Sequence, residues 1–140
     1  MHRRISRNDG FTLIELLIVL VILGLLAGLA APRIIKYLGS AKSDVARLQI
    51  DSLGASLDLF TLDIGRYPAT EEGLQALVEA PAGLDGWHGP YTKGTTVPLD
   101  PWGNDYVYQY PGENKIYDLR SLGADNSEGG EGENQDIANE

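Results

Sequence analysis

From Phe11 to Ala31 the chain reads FTLIELLIVLVILGLLAGLAA, and beyond Glu15 this run holds no charged or strongly polar side chain. At about 1.5 Å per residue, a helix of these 21 residues reaches across a hydrocarbon core of ~30 Å. The helical period then continues as two stripes. Leu38, Ala41, Val45 and Leu48 follow 3,4,3 spacing, and Ala46, Ile50, Leu53, Leu57 and Phe60 follow 4,3,4,3 spacing, with Lys42, Asp44, Arg47 and Asp51 on other faces. The pattern predicts one long helix from about Phe11 to about Leu62. Pro32 falls inside it, where a missing backbone donor is expected to kink or loosen the helix near the membrane surface. Gly24, Gly28, Gly39 and Gly54 add pliability.

The second half changes period. ATEEGLQALVEAP at 69 to 81 predicts a short helix with Thr70 as cap, Glu71 and Glu72 facing the positive end of the dipole, Leu74, Leu77 and Val78 as the apolar face, and Pro81 as its end. Residues 82 to 100, rich in Gly and Pro, read as loop. YVYQY at 106 to 110, the turn PGENK, and IYDLRS at 116 to 121 predict an antiparallel hairpin. The expected fold is therefore α+β: a long N-terminal α-helix, its first half membrane-spanning, packed by a small antiparallel β-sheet head. Trp102 and Tyr106 are expected to close the head core, and Gly103 with Asn104 to form a turn. Tyr67, Tyr106, Tyr108, Tyr110 and Tyr117 read as an aromatic hairpin packing on a helix rather than as a ligand platform.

Composition narrows the function. A chain of 140 residues that commits one segment to a membrane keeps room for a single small head, and without cysteine no disulfide or thiolate site can staple it. The net charge is −9; Arg3, Arg4 and Arg7 against Asp9 give the first ten residues +2, so the remainder carries −11. That balance argues against nucleic acid as a partner. The three arginines ahead of the apolar run hold that end on the cytoplasmic side. An ordinary secretory signal cut near Gly28 to Ala31 accounts poorly for Glu15 inside the apolar stretch and for Pro32 as a new terminus. No catalytic pattern stands out: His88 lies in a Gly-rich loop without an adjacent nucleophile, Asp51, Asp58 and Asp63 are irregularly spaced, and no phosphate loop, serine elbow or HExxH occurs.

The sequence RNDG followed by FTLIE resembles the class III signal of type IV pilins and pseudopilins. The resemblance implies a prepilin peptidase cutting after Gly10 and methylating Phe11, with Glu15 as the fifth mature residue. A small glycine allows close access to the backbone, and the Glu15 carboxylate can neutralise the α-amino group of a neighbouring subunit inside lipid. RYPATEEGLQALVEAP at 66 to 81, LDPWGNDYVYQYPG at 99 to 112 and YDLRSLGADNSEGGEGENQDI at 117 to 137 resemble the major pseudopilin of type II secretion. The family reading divides the chain into a leader at 1–10, a transmembrane and filament-core helix at 11–32 and a periplasmic head at 33–140. It implies an inner-membrane, single-pass structural subunit that polymerises with its own copies. Implied partners are minor pseudopilins, the prepilin peptidase, the inner-membrane assembly platform and membrane lipid. A type IV pilus subunit and a membrane-anchored periplasmic enzyme are the alternatives; the first usually has a longer head closed by a disulfide.

The resemblance also implies a calcium ion held by the loop after the last strand, through the backbone carbonyls of Leu122 and Ser127 and through acidic side chains, best matched by Asp125 and Asp136. A count in the manner of an EF-hand agrees in part, because Asp125, Ser127, Glu133 and Asp136 fall at positions 1, 3, 9 and 12, with Gly130 at the sharp turn. Position 5 is Gly129 and no helices flank the loop, so no EF-hand is expected. The competing expectation is a disordered acidic tail, since residues 124 to 140 hold six acids and no basic residue.

Overall fold

A computed structural model describes residues 10–140, so the leader's Arg3, Arg4, Arg7 and Asp9 lie outside the described residues. Helix α1 runs Leu13–Ile64, Pro32 included, and the chain divides into two compact units, Met1–Tyr37 and Leu38–Glu140. In the first unit α1 opens with a capping device. Thr12 Oγ1 accepts the Glu15 backbone N–H at 3.2 Å, which satisfies a donor that a helix start leaves free, and Thr12 O accepts that of Leu16 at 3.2 Å in the first intrahelical bond. From Leu13 to Ala31 every side chain is exposed, and this stretch is long and apolar enough to cross a membrane.

In the second unit, only one of the two stripes of α1 becomes core. Ala46, Ile50, Leu53, Leu57 and Phe60 are buried against Leu74, Ala76, Leu77, Tyr106, Tyr108, Leu119 and Ile137. Leu38, Val45 and Leu48 stay 60%, 46% and 68% exposed. The stripes lie about 100° apart around the helix, so one sheet and one loop layer cannot cover both. The loop from 82 to 98 seals the far end of the core. Phe60 meets Tyr91 edge to face at 5.7 Å, Tyr91 meets Trp87 at 5.6 Å, and Trp87 Nε1 donates to Ala76 O at 2.8 Å.

The predicted helix at 69 to 81 is replaced by turns and a single 3-10 turn, Leu74–Leu77. Gly73 takes φ +58°, which ends any α continuity from Thr70, and the groups expected to cap are used elsewhere. The Thr70 hydroxyl both donates to Tyr110 O and accepts the Tyr110 N–H, each at 2.9 Å. Glu72 accepts two bonds from Arg66, at 2.6 and 2.7 Å, and one from Ala69 N–H at 2.7 Å. Leu74 and Leu77 still bury as predicted, while Val78 is only half-buried. Strand β1 (Val107–Gln109) pairs with β2 (Asp118–Ser121) in the predicted antiparallel hairpin, with Tyr108 opposite Leu119. A third strand, β3 (Ile137–Ala138), adds to β2 with Ser121 opposite Ile137, giving the order β1-β2-β3. The acidic tail is thus closed into the sheet.

Candidate functional site

Two regions hold the residues singled out in the sequence. At the N-terminal end Gly10, Phe11 and Glu15 lie together, all exposed, Phe11 at 82%. Glu15 sits at the third position of α1 after the Thr12 cap, so its carboxylate faces the positive end of the helix dipole and completes the S/T-x-x-E pattern of a helix start. Sequence reasoning used Glu15 for assembly and missed this local role, although the spacing of Thr12 and Glu15 announces it.

The second region is the loop from Leu122 to Asp136, which folds back on itself. Ala124 N–H donates to Glu133 O at 2.8 Å, and Asp136 N–H donates to Gly129 O at 3.2 Å. Gly123 has φ +69°, and a Cβ there would stand 2.7 Å from Glu133 O; one on Gly130 would stand 2.5 Å from Asn134 O. Asp125 Oδ1 accepts the Ser127 N–H at 3.2 Å and the Ser127 hydroxyl donates back to Asp125 O at 3.2 Å. Among the described residues two buried side-chain polar atoms lack a hydrogen-bond partner, Trp102 Nε1 and Asp136 Oδ1. The indole nitrogen is a donor, and only the carboxylate oxygen can take a cation.

Glu133 departs from the expected ligand set. The 3-10 turn Gly132–Asn134 aims its backbone carbonyl at Ala124, and its side chain lies against Gly39 of α1, where a Cβ would collide with the carboxylate. No group of three or more His, Cys, Asp or Glu side chains among the described residues is gathered to hold an ion. The loop therefore brings Asp125 and Ser127 together, leaves Asp136 with an unpaired oxygen, and sends the Glu133 carboxylate to the helix. Arg120 Nη2 lies 2.6 Å from Glu128 Oε1, tying the loop to β2.

His88 occupies the exposed loop expected of it. Its Nδ1 lies 3.6 Å from Asp63 Oδ2, which also accepts the Tyr91 hydroxyl at 2.8 Å. This contact fastens the loop to the end of α1 and contains no nucleophile.

The family described as "Type II secretion system (T2SS), protein G" matches residues 33–140, and the prokaryotic N-terminal methylation motif matches residues 5–31. This chain is a member of the type II secretion protein G family. The type II secretion system core protein G of Pseudomonas aeruginosa is 45% identical over 143 residues, covering 99% of this chain and 98% of that one. Its counterparts from Vibrio cholerae and Escherichia coli are each 41% identical over 140 residues, covering 98% of this chain and 94% of theirs. The crystal structure of the major pseudopilin from the type 2 secretion system of enterohaemorrhagic Escherichia coli superposes with a TM-score of 0.62 at 34% identity. It covers 71% of this chain and 83% of that one. The apolar start of α1 is thus the N-terminal helix of a membrane-anchored pseudopilin, and the three-stranded unit is a pseudopilin head.

Proposed function

We propose that the chain is a structural subunit of the type II secretion pseudopilus, cut after Gly10 and methylated at Phe11, which polymerises into a periplasmic filament that drives folded proteins across the outer membrane. The observation that carries this reading is the helix surface from Leu13 to Ala31, apolar on all sides and exposed, with the Glu15 carboxylate as its one charge. Such a surface is suited to two media, the inner membrane before assembly and neighbouring helices in the filament core afterwards. Bringing Glu15 to the terminal amine of Phe11 on an adjacent copy removes two lone charges from an apolar environment. The head, resting in the periplasm, then meets minor pseudopilins, while the assembly platform extracts the subunit from the membrane. The work is mechanical, and a catalytic role has no residues assigned to it.

A calcium ion in the Leu122–Asp136 loop belongs to the same proposal. The unpaired buried oxygen of Asp136, the glycine-rich close approaches and an all-oxygen donor set suit a hard cation. Asp125 and Asp136 would hold it with the carbonyls of Leu122 and Ser127, and Glu133 would join only by leaving Gly39. Calcium would supply charge neutralisation in a loop of five acids and so lock the tail against β2.

Intact-mass measurement of protein from its native membrane tests the processing: a methylated Phe11 terminus is expected, and an intact Met1 or a cut near Ala31 contradicts it. For assembly, Glu15→Ala is expected to insert and be processed, since losing a charge eases insertion, yet to form few filaments and block secretion. Filaments at the level of the unaltered protein would show the charge to be dispensable.

A further inference from the structure

The DPWGN turn that precedes β1 lies outside the Leu122–Asp136 loop, yet its polar groups converge on the start of that loop. Asp100 is 4% exposed, and its Oδ1 accepts the backbone N–H of Trp102 at 3.0 Å and of Asn104 at 2.8 Å. Its Oδ2 accepts the Ser121 hydroxyl at 2.5 Å, and Ser121, fully buried, accepts the Gly123 N–H on the same oxygen at 3.2 Å. Asn104 Nδ2 donates to Gly123 O at 3.0 Å. Both polar groups of the Gly123 backbone are therefore held by side chains from outside the loop. The turn itself is braced on α1 at each end, because Gln49 Nε2 donates to Leu99 O at 3.4 Å and Tyr106 donates to Gln49 Oε1 at 2.6 Å.

We infer that Asp100, Asn104 and Ser121 are positioning residues that aim the Leu122 carbonyl at the cation, an inference that rests on the calcium reading above. The reason is covalent. The Leu122 carbonyl and the Gly123 N–H belong to one planar peptide unit and point in opposite directions, so a bond that fixes the N–H also fixes the oxygen. Ser121 supplies that bond, and Asp100 orients the Ser121 hydroxyl so that its lone pair faces Gly123. A neutral side chain at position 100 can cap the turn with one oxygen. Reaching Ser121 as well takes a second acceptor, which accounts for a carboxylate in a buried position that otherwise costs stability. Asn104 stops the peptide plane that follows from rotating. Partners that orient ligands in this way typically carry a factor of about 10 to 100 in metal affinity.

Calcium titration of the full mature chain in detergent, by calorimetry, tests this with Asp100→Asn, Ser121→Ala and Asn104→Ala. Asp100→Asn keeps an oxygen for the two turn N–H groups and turns a donor toward Ser121, so it breaks only the arm that leads to Gly123. Its calcium dissociation constant is expected to rise about 10-fold or more, with Ser121→Ala similar and the double variant no worse than the singles, because both lie on one path. Leu57→Ala serves as the control, lowering the melting temperature in chelator while leaving the dissociation constant within about twofold. Calcium affinities in Asp100→Asn and Asn104→Ala equal to that of the unaltered chain would overturn the inference while leaving the calcium site standing. An unaltered chain that binds no calcium up to millimolar concentration would instead bring down the calcium reading and this inference together.

Discussion

Tyr67 carries its hydroxyl to Asp58 at 2.8 Å, and that bond, followed by burial and the Asp58 charge, pushes its pKa up to about 12. Burial raises Tyr106 and Tyr108 as well. For these groups the folded state favours the protonated form, so their contribution is full below the unfolded value of about 10 and is lost as pH rises toward about 12. The head should therefore hold its melting temperature up to about pH 10 and lose it steeply above. Tyr67→Phe should make that fall shallower by about one proton, read from melts across the alkaline range and from tyrosinate absorbance. A slope unchanged in Tyr67→Phe would show that this hydroxyl is not coupled to folding. Glycines divide just as clearly by what their missing Cβ would meet. Gly123→Ala puts a side chain at φ +69° and within 2.7 Å of backbone at Glu133, so it should destabilise the loop by about 1 to 3 kcal/mol. Gly39→Ala meets only the flexible end of Glu133, which can swing away, and should shift the melting temperature much less. Thermal melts of the two variants side by side give the comparison.

At the scale of elements, α1 divides its work between two stripes. Ile50→Ala removes a side chain that is 2% exposed and should cost about 2 to 5 kcal/mol in chemical denaturation. Leu48→Ser alters one that is 68% exposed and should stay within about 0.5 kcal/mol. If Leu48→Ser proved as destabilising as Ile50→Ala, the division of faces would be wrong. β3 is the other decisive element. It is two residues long, yet it buries Ile137 to 6% exposure and closes the acidic loop onto β2. Ending the chain at Gln135 should remove that strand pairing, free the loop and lower the stability of the head by roughly the 1.5 to 3 kcal/mol of one large apolar side chain. Hydrogen exchange at Ser121 and Leu119, next to the lost strand, would report it.

For the molecule as a whole, a head without disulfides gains from any ion that binds the folded form alone, by an amount that grows with the logarithm of ion concentration over its dissociation constant. Melts of the full chain in detergent with calcium and then with chelator should separate, and the gap should shrink in Asp125→Ala. Coincident melts would leave the loop as solvated charge held only by its backbone bonds and β3. The same scale explains why one chain serves two surroundings. Its first unit presents apolar side chains that need lipid or other helices, while its second satisfies its own core. Joining them in one sequence makes a subunit that, on the proposal above, uses its anchor as its polymerisation surface.

Local signals in the sequence determined much of this. The largely apolar 21-residue run from Phe11, the 3,4 spacing along α1, the Gly10, Phe11 and Glu15 offsets, and the strand residues around PGENK each act within a few neighbours, so they are legible without a fold. Other features depend on what packs against what, and only the tertiary structure decided them. Periodicity marks two stripes on α1 but cannot say which will meet a sheet. The helix expected at 69 to 81 gave way because Thr70 found Tyr110 and Glu72 found Arg66. Two residues are too short for β3 to show a period, and its partner strand lies beyond a long loop. Asp100 and Ser121 stand 21 positions apart, and Gly39 and Glu133 lie at opposite ends of the head sequence. Such contacts form after the chain has closed loops whose entropy cost no local pattern records. That is why the helix and the N-terminal methylation motif were readable from the sequence, whereas the path from Asp100 through Ser121 to Gly123 was not.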